Sequence, residues 1–189
     1  MEDKFIVFIM GGPGCGKGTQ CSRLRDEFNL AHLSSGDLLR AEVAKGTPEG
    51  EKIHNFIKEG KLVPQEIVIE LMKKAIAAVP QKGIILDGFP RSVSQLEEFE
   101  RTVKPAKFAL YFECSEDEML KRIMTRAAAV PESQRRADDN PETAMKRFKT
   151  YTEEAKPAID KLREAGKLHE INAMRSIDEV YAEAKSFFQ

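Results

Sequence analysis

The stretch KFIVFIMGGPGCGKGTQ, Lys4 to Gln20, joins an unbroken apolar run to a cluster of glycines and then to a segment of helical character. Continuous apolar, β-branched and aromatic residues, without strict alternation, are the pattern of an inner strand covered on both faces, as in a parallel sheet. The glycines let backbone N–H groups curl around phosphate oxygens, while the following helix presents its positive end and Lys17 adds a full charge. Gly14, Cys15, Gly16, Lys17, Gly18 and Thr19 are therefore expected to hold the phosphates of a nucleoside triphosphate. The strict form of this loop places Ser or Thr directly after the lysine to meet magnesium; here Gly18 intervenes and Thr19 follows.

Working outward, GIILD and FALYFEC share the character of the first strand, and AHLSS and KLHEIN are weaker candidates with the same short length. Helical stretches separate them: TQCSRLRDEF, GDLLRAEVAK, EKIHNFIKE, PQEIVIELMKKAIAA opening at Pro64, SVSQLEEFERTV and EDEMLKRIMTR. A long segment over about residues 141–165 should kink at Pro157. SIDEVYAEAKSFF closes the chain with a capping box from Ser176 and Glu179. Strand alternating with helix predicts an open α/β sheet in a single domain over 1–189. No internal repeat or flexible linker divides it.

The 189 residues carry 30 basic and 31 acidic side chains, a balance that excludes a broadly basic nucleic-acid surface and a polybasic membrane anchor. An anionic partner should be small. The opening MEDKFIVFIMGG holds too short an apolar run for a signal peptide or membrane span, so an intracellular, cytosolic protein is expected. Cys15, Cys21 and Cys114 lack the spacing of a disulfide framework or a zinc site. His32, His54 and His169 form no constellation in the sequence and receive no role.

The run IILDGFPRSVSQ delivers Asp87 to the carboxyl end of an apolar strand, where an open α/β sheet places an acid near magnesium. Gly88 and Pro90 turn the chain so that Arg91 can point back to the same crevice. LSSGDLLRAEV carries Arg40 on its first helical turns. RAAAVPESQRRADDNPE, residues 126–142, sets three arginines and two aspartates around a spacer. Alone it reads as a solvated charge run.

Taken in order, GGPGCGKGTQ, LSSGDLLR, EGKLVP, LDGFPR and RRADDN resemble the nucleoside monophosphate kinases, in the adenylate and UMP/CMP kinase group, over essentially the whole chain. The resemblance implies a three-layer P-loop NTPase fold: a five-stranded parallel sheet flanked by helices, with a monophosphate-binding insertion at 34–63 and a short lid at 125–137. It implies reversible phosphoryl transfer from ATP·Mg2+ to a nucleoside monophosphate by a protein that is usually monomeric. Lys17, Asp87, Arg91, Arg126, Arg136 and Arg147 would be catalytic. Arg126 and Arg175 would join the glycine loop on ATP. Ser35, Arg40, Lys61, Leu62, Val63, Gly88, Phe89, Pro90, Arg91, Gln95, Arg136 and Arg147 would face the monophosphate. Asp87 would orient waters on a Mg2+ held mainly by phosphates, and Asp138 and Asp139 would fix the lid arginines. Arginine suits these positions because its planar fork binds phosphate oxygens two at a time.

Ser35 and Gln95 stand where adenylate kinases carry a hydroxyl residue and an adenine-reading glutamine, which favours AMP; UMP or CMP is the alternative within the family. An ATPase or regulatory switch without a monophosphate acceptor would keep the glycine loop but has no use for LSSGDLLR and DGFPR together. The lid departs from the family: Ala127 and Arg135 replace glycines, and the spacer is longer. Arg135 has no assigned role. Cys15, where the family usually has Ser or Ala, is expected to be a small filler whose backbone matters; a reactive thiol at the helix start is the competing reading.

Overall fold

The apolar run after Lys4 forms β1 (Phe5–Gly11), and the four other candidate stretches become β2 (Ala31–Ser34), β3 (Gly83–Asp87), β4 (Phe108–Glu113) and β5 (Leu168–Asn172). Residues 3–189 of this computed structural model are described; Met1 and Glu2 of the opening segment lie outside them. The strands make one parallel sheet in the order β2-β3-β1-β4-β5. β1 alternates across it. Ile6, Phe8 and Met10 enter one core layer, and Val7 and Ile9 enter the other.

The connections are helical: α1 (Lys17–Phe28), α2 (Ser35–Ala44), α3 (Pro48–Lys58), α4 (Gln65–Ala78), α5 (Val93–Thr102), α6 (Glu116–Ala128), α7 (Pro141–Thr150), α8 (Lys156–Glu164) and α9 (Ile177–Ser186). Their starts are set locally. The side chains of Ser34, Thr47, Ser92, Ser115 and Asn140 each accept an N–H of the first turn, and Ser176 with Glu179 forms the expected capping box. On one face α4, α5 and α8 bury Met72, Ile76, Phe99 and Leu162; on the other, α1, α6 and α9 bury Leu24, Ile123 and Ala184. Among the described residues no helix is long and apolar enough to cross a membrane.

Two expectations acquire a specific form. The irregularity near Pro157 is a π turn, Tyr151–Ala155, between α7 and α8, just ahead of the proline that can donate no backbone hydrogen bond. In the span read as a lid, α6 continues through Ala128, so its first residues are helical. A short 3-10 turn at Glu132–Gln134 follows, and residues 131–137 are exposed.

Candidate active site

Strand order reverses beside β1, since β2 and β3 lie to one side and β4 and β5 to the other, and the crevice of such a sheet opens beyond the carboxyl ends of its strands. Here that crevice is floored by Met10 and Gly11 at the end of β1 and by Gly88 after β3. Lys17, Ser35, Arg40, Arg91, Gln95 and Arg147 reach it from five different helices and loops, and Lys61, Leu62, Val63 and Pro90 complete the set of expected residues on its wall.

The glycine loop needs its glycines. Gly14 has φ +82°, and a Cβ there would sit 2.6 Å from the Met119 carbonyl oxygen; Gly16 has φ +94°. Lys17 is folded back over the loop, donating to the Gly11 and Gly12 carbonyls at 3.0 and 2.9 Å. Around Gly18 the space is open, with no neighbour within 4 Å of a Cβ placed there. Thr19 is exposed on the first turn of α1. The Cys15 thiol is only 2 % exposed and packs inward, which supports the filler reading. Arg122, unassigned from sequence, donates to the Cys15 carbonyl at 3.0 Å and the Ala173 carbonyl at 2.9 Å, tying the glycine loop to the turn after β5.

Facing the loop is a field of positive charge. Burial, then the neighbouring Arg147, lowers the affinity of Arg91 for its proton, to a pKa of about 10. The same causes in kind, burial first and other arginines after, lower Arg136 and Arg147. Aspartates offset only part of this. Asp139 takes Arg126 at two points, and Arg147 Nη1 lies 3.0 Å from Asp138 Oδ2. Among the described residues that nitrogen finds no hydrogen-bond partner, and neither does the buried Asp138 Oδ1. A buried guanidinium nitrogen that is ion-paired but not hydrogen-bonded, beside several like charges, has the electrostatics that favour an anion.

The remaining contacts set orientation. Arg91 Nε donates to the Gly88 carbonyl at 2.8 Å, and Ser35 Oγ donates to the same carbonyl at 2.8 Å. Gln95 is buried; its Oε1 accepts the Arg91 N–H at 2.8 Å, which fixes which end of the amide is which. Arg40 is held by Asp37 at 2.5 Å. Asp87 ends β3 as expected, but it is not free: His32 Nε2 lies 2.9 Å from its Oδ2. Sequence reading gave His32 no role. The parallel register that sets His32 opposite Ile85, two residues before Asp87 on the same strand face, is what brings them together.

Several expected positions lie off the crevice wall, Phe89, Arg126, Arg136 and Arg175 among them. Phe89 points into the core, where its ring meets those of Phe8 and Phe99 at 5.8 and 5.1 Å, so only its backbone adjoins the site. Arg175 is exposed and pairs with Glu183 and the Asn172 carbonyl. Arg136 keeps much of its surface exposed on the loop after the 3-10 turn, its guanidinium only partly desolvated and sensing Arg40, Arg126 and Asp139 through its charge. Arg135 finds its place here: its Nε donates at 2.8 Å to the Ala127 carbonyl and so closes the end of α6.

A glycine loop between an inner strand and a helix, opposed by clustered arginines at the crevice of a parallel sheet, defines a phosphate-handling protein of the P-loop class. The adenylate kinase family profile matches residues 9–167. UMP-CMP kinase 2 of Oryza sativa subsp. japonica is 44% identical over 185 residues, covering 97% of this chain and 74% of the rice protein. Adenylate kinase isoenzyme 1 of Caenorhabditis elegans is 42% identical over 180 residues, 94% of this chain and 84% of the relative. Uridylate kinase of Schizosaccharomyces pombe is 42% identical over 189 residues, 97% of each. The chain belongs to the adenylate kinase family of nucleoside monophosphate kinases.

Proposed function

We propose that the protein transfers the terminal phosphoryl group of ATP to AMP, giving two ADP, as a monomeric cytosolic enzyme. Gln95 carries the choice of acceptor. It lies 3 % exposed on the crevice wall with its amide orientation set by the Arg91 N–H. An amide so fixed pairs with the donor and acceptor on one edge of adenine. Leu39, Ile57, Val63 and Val68 supply apolar walls for the ring. The relatives' names divide between acceptors at nearly equal identity, so the reading stands on Ser35 and Gln95.

Transfer between two polyanions calls for placement and neutralisation more than for a nucleophile. Lys17 would exchange its two loop carbonyls for phosphate oxygens. Arg91 and Arg147 would hold the acceptor phosphate, Arg40 its far side, and Arg126 and Arg136 the transferring group as residues 125–137 close. Asp138 and Asp139 would keep Arg147 and Arg126 aimed inward. Closure excludes water, whose attack is the competing reaction. The single carboxylate of Asp87, one oxygen engaged by His32, is too little to chelate Mg2+ alone; it fits a second-sphere partner for an ion held by phosphates, which would neutralise charge there. Three unpaired cysteines suit a reducing compartment.

Steady-state ADP formation with AMP, UMP and CMP tests the reading. The expected result is the highest kcat/KM with AMP and little nucleotide turnover without acceptor. A clear preference for UMP or CMP would overturn the adenine assignment, and ATP hydrolysis indifferent to any monophosphate would overturn acceptor use altogether.

A further inference from the structure

Beneath the carboxyl ends of β2 and β3 lies a cluster of which phosphoryl transfer accounts for Asp87 alone. Cys21, on the buried face of α1, His32 on β2 and Asp87 at the end of β3 place a sulfur, an imidazole nitrogen and a carboxylate oxygen all within 4.8 Å of one another. His32 Nε2 and Asp87 Oδ2 are already 2.9 Å apart. The Cys21 side chain is 0 % exposed, and the Asp87 side chain is 9 % exposed. Three different ligand types converge from a helix and two adjacent strands, so the backbone holds their relative positions.

We infer that Cys21, His32 and Asp87 form a binding site for a thiophilic divalent cation such as Zn2+. Tetrahedral coordination at ordinary zinc–ligand distances puts neighbouring ligand atoms about 3.3–3.8 Å apart. The cluster reaches that by a contraction of about 1 Å along its longest edge, within the range of a rotamer adjustment on Cys21 and His32. One thiolate, one carboxylate and one neutral imidazole balance the charge of a divalent ion, and the thiol proton leaves to solvent on binding. No oxidation or reduction is involved. Three protein ligands leave a fourth position for an exogenous oxygen. Sulfur and imidazole select zinc-like ions over magnesium, which separates this site from the metal that accompanies ATP.

The site has a consequence for activity. A cation held there removes Asp87 from the waters of the ATP-bound magnesium, so occupancy should slow transfer. That consequence rests on the role proposed for Asp87; the binding itself does not.

Titrating the full chain with Co2+, in the absence of nucleotide, tests the site through the near-ultraviolet thiolate-to-cobalt charge-transfer band. The expected result is one equivalent of Co2+ per chain, displaced by Zn2+. Cys21→Ser should abolish the band, and His32→Gln should weaken affinity about ten-fold or more. Cys114→Ser, which alters the partly exposed thiol elsewhere, should change neither. A wild-type chain without the band, a band that disappears with Cys114, or equal affinity in His32→Gln would overturn the assignment. His32→Gln decides the matter if Cys21→Ser does not fold. Zn2+ binding without slower transfer would overturn the role of Asp87 and leave the site intact.

Discussion

Arg126 and Asp139 meet at two points, Nε 2.9 Å from Oδ2 and Nη2 2.5 Å from Oδ1, with the carboxylate almost wholly buried and the guanidinium about two-fifths exposed. The pair therefore holds the arginine near the end of α6 on a fixed base. Asp139→Asn preserves size and removes the charge. It should lower kcat about ten-fold while leaving KM for ATP nearly unchanged, because aiming matters most in the transition state. Steady-state kinetics checks this, and an unchanged kcat would show that Asp139 only stabilises the loop.

Arg91 should trade stability for activity. Its proton affinity is lowered by burial first and by Arg147 next, so its charged form is disfavoured in the folded state at every pH below about 10, and that cost is relieved as pH rises through this value. Arg91→Met removes the burden at neutral pH. The variant should be stabilised on the order of 1 kcal/mol and lose kcat by about 10²–10³. Thermal melts at pH 7 and turnover under the same conditions measure both; a less stable variant would contradict the charge argument.

Two glycines four residues apart in the same loop, Gly14 and Gly18, should answer substitution oppositely. Gly14→Ala forces a Cβ into a left-handed backbone and toward the Met119 carbonyl at 2.6 Å, so a loss of about 1–3 kcal/mol and of ATP binding is expected. Gly18→Ala meets open space inside α1 and should gain about 0.5–1 kcal/mol of helix stability. Denaturant midpoints of the two variants give the comparison.

Gln95→Ala should cost AMP about 1–3 kcal/mol in kcat/KM, the worth of one two-point base contact, with ATP KM nearly unchanged. Titration calorimetry with AMP supplies an independent reading. If affinity for AMP and CMP falls equally, Gln95 acts through the Arg91 N–H it holds at 2.8 Å and not on the base.

The sheet was legible because its inner strands β1, β3 and β4 are short, nearly continuous apolar runs, and both core faces could be read from β1; the less apolar β2 and β5 could be read mainly from their place between helical segments. The arginines were legible only as parts of ordered motifs; singly, each is indistinguishable from a surface charge. Arg122 shows the limit: it sits in an ordinary charged helix, and its partners, the Cys15 and Ala173 carbonyls, are backbone atoms remote in sequence. His32 and Cys21 escaped for a related reason: the parallel register of β2 and β3 brings His32 to Asp87, and the packing of α1 on the sheet brings Cys21, and no local pattern encodes either. Phe89 misled in the other direction. Its place within LDGFPR suggested contact with a ligand, whereas an aromatic directly after a turn glycine gains more by joining Phe8 and Phe99.

The π turn at Tyr151–Ala155 works as a phase adjuster between two surfaces. Arg147 before it and Tyr151 at its start face the crevice, while Ala158 and Leu162 after it are buried in the core layer. One residue more or less in a helix rotates everything beyond it by about 100°. Deleting a residue from this turn would leave a smoother helix and an intact core, yet it would swing Arg147 out of alignment with the other arginines. Insertions and deletions should therefore be far less tolerated in this turn than in the exposed loop before it, although both lie on the surface side of the same chain segment.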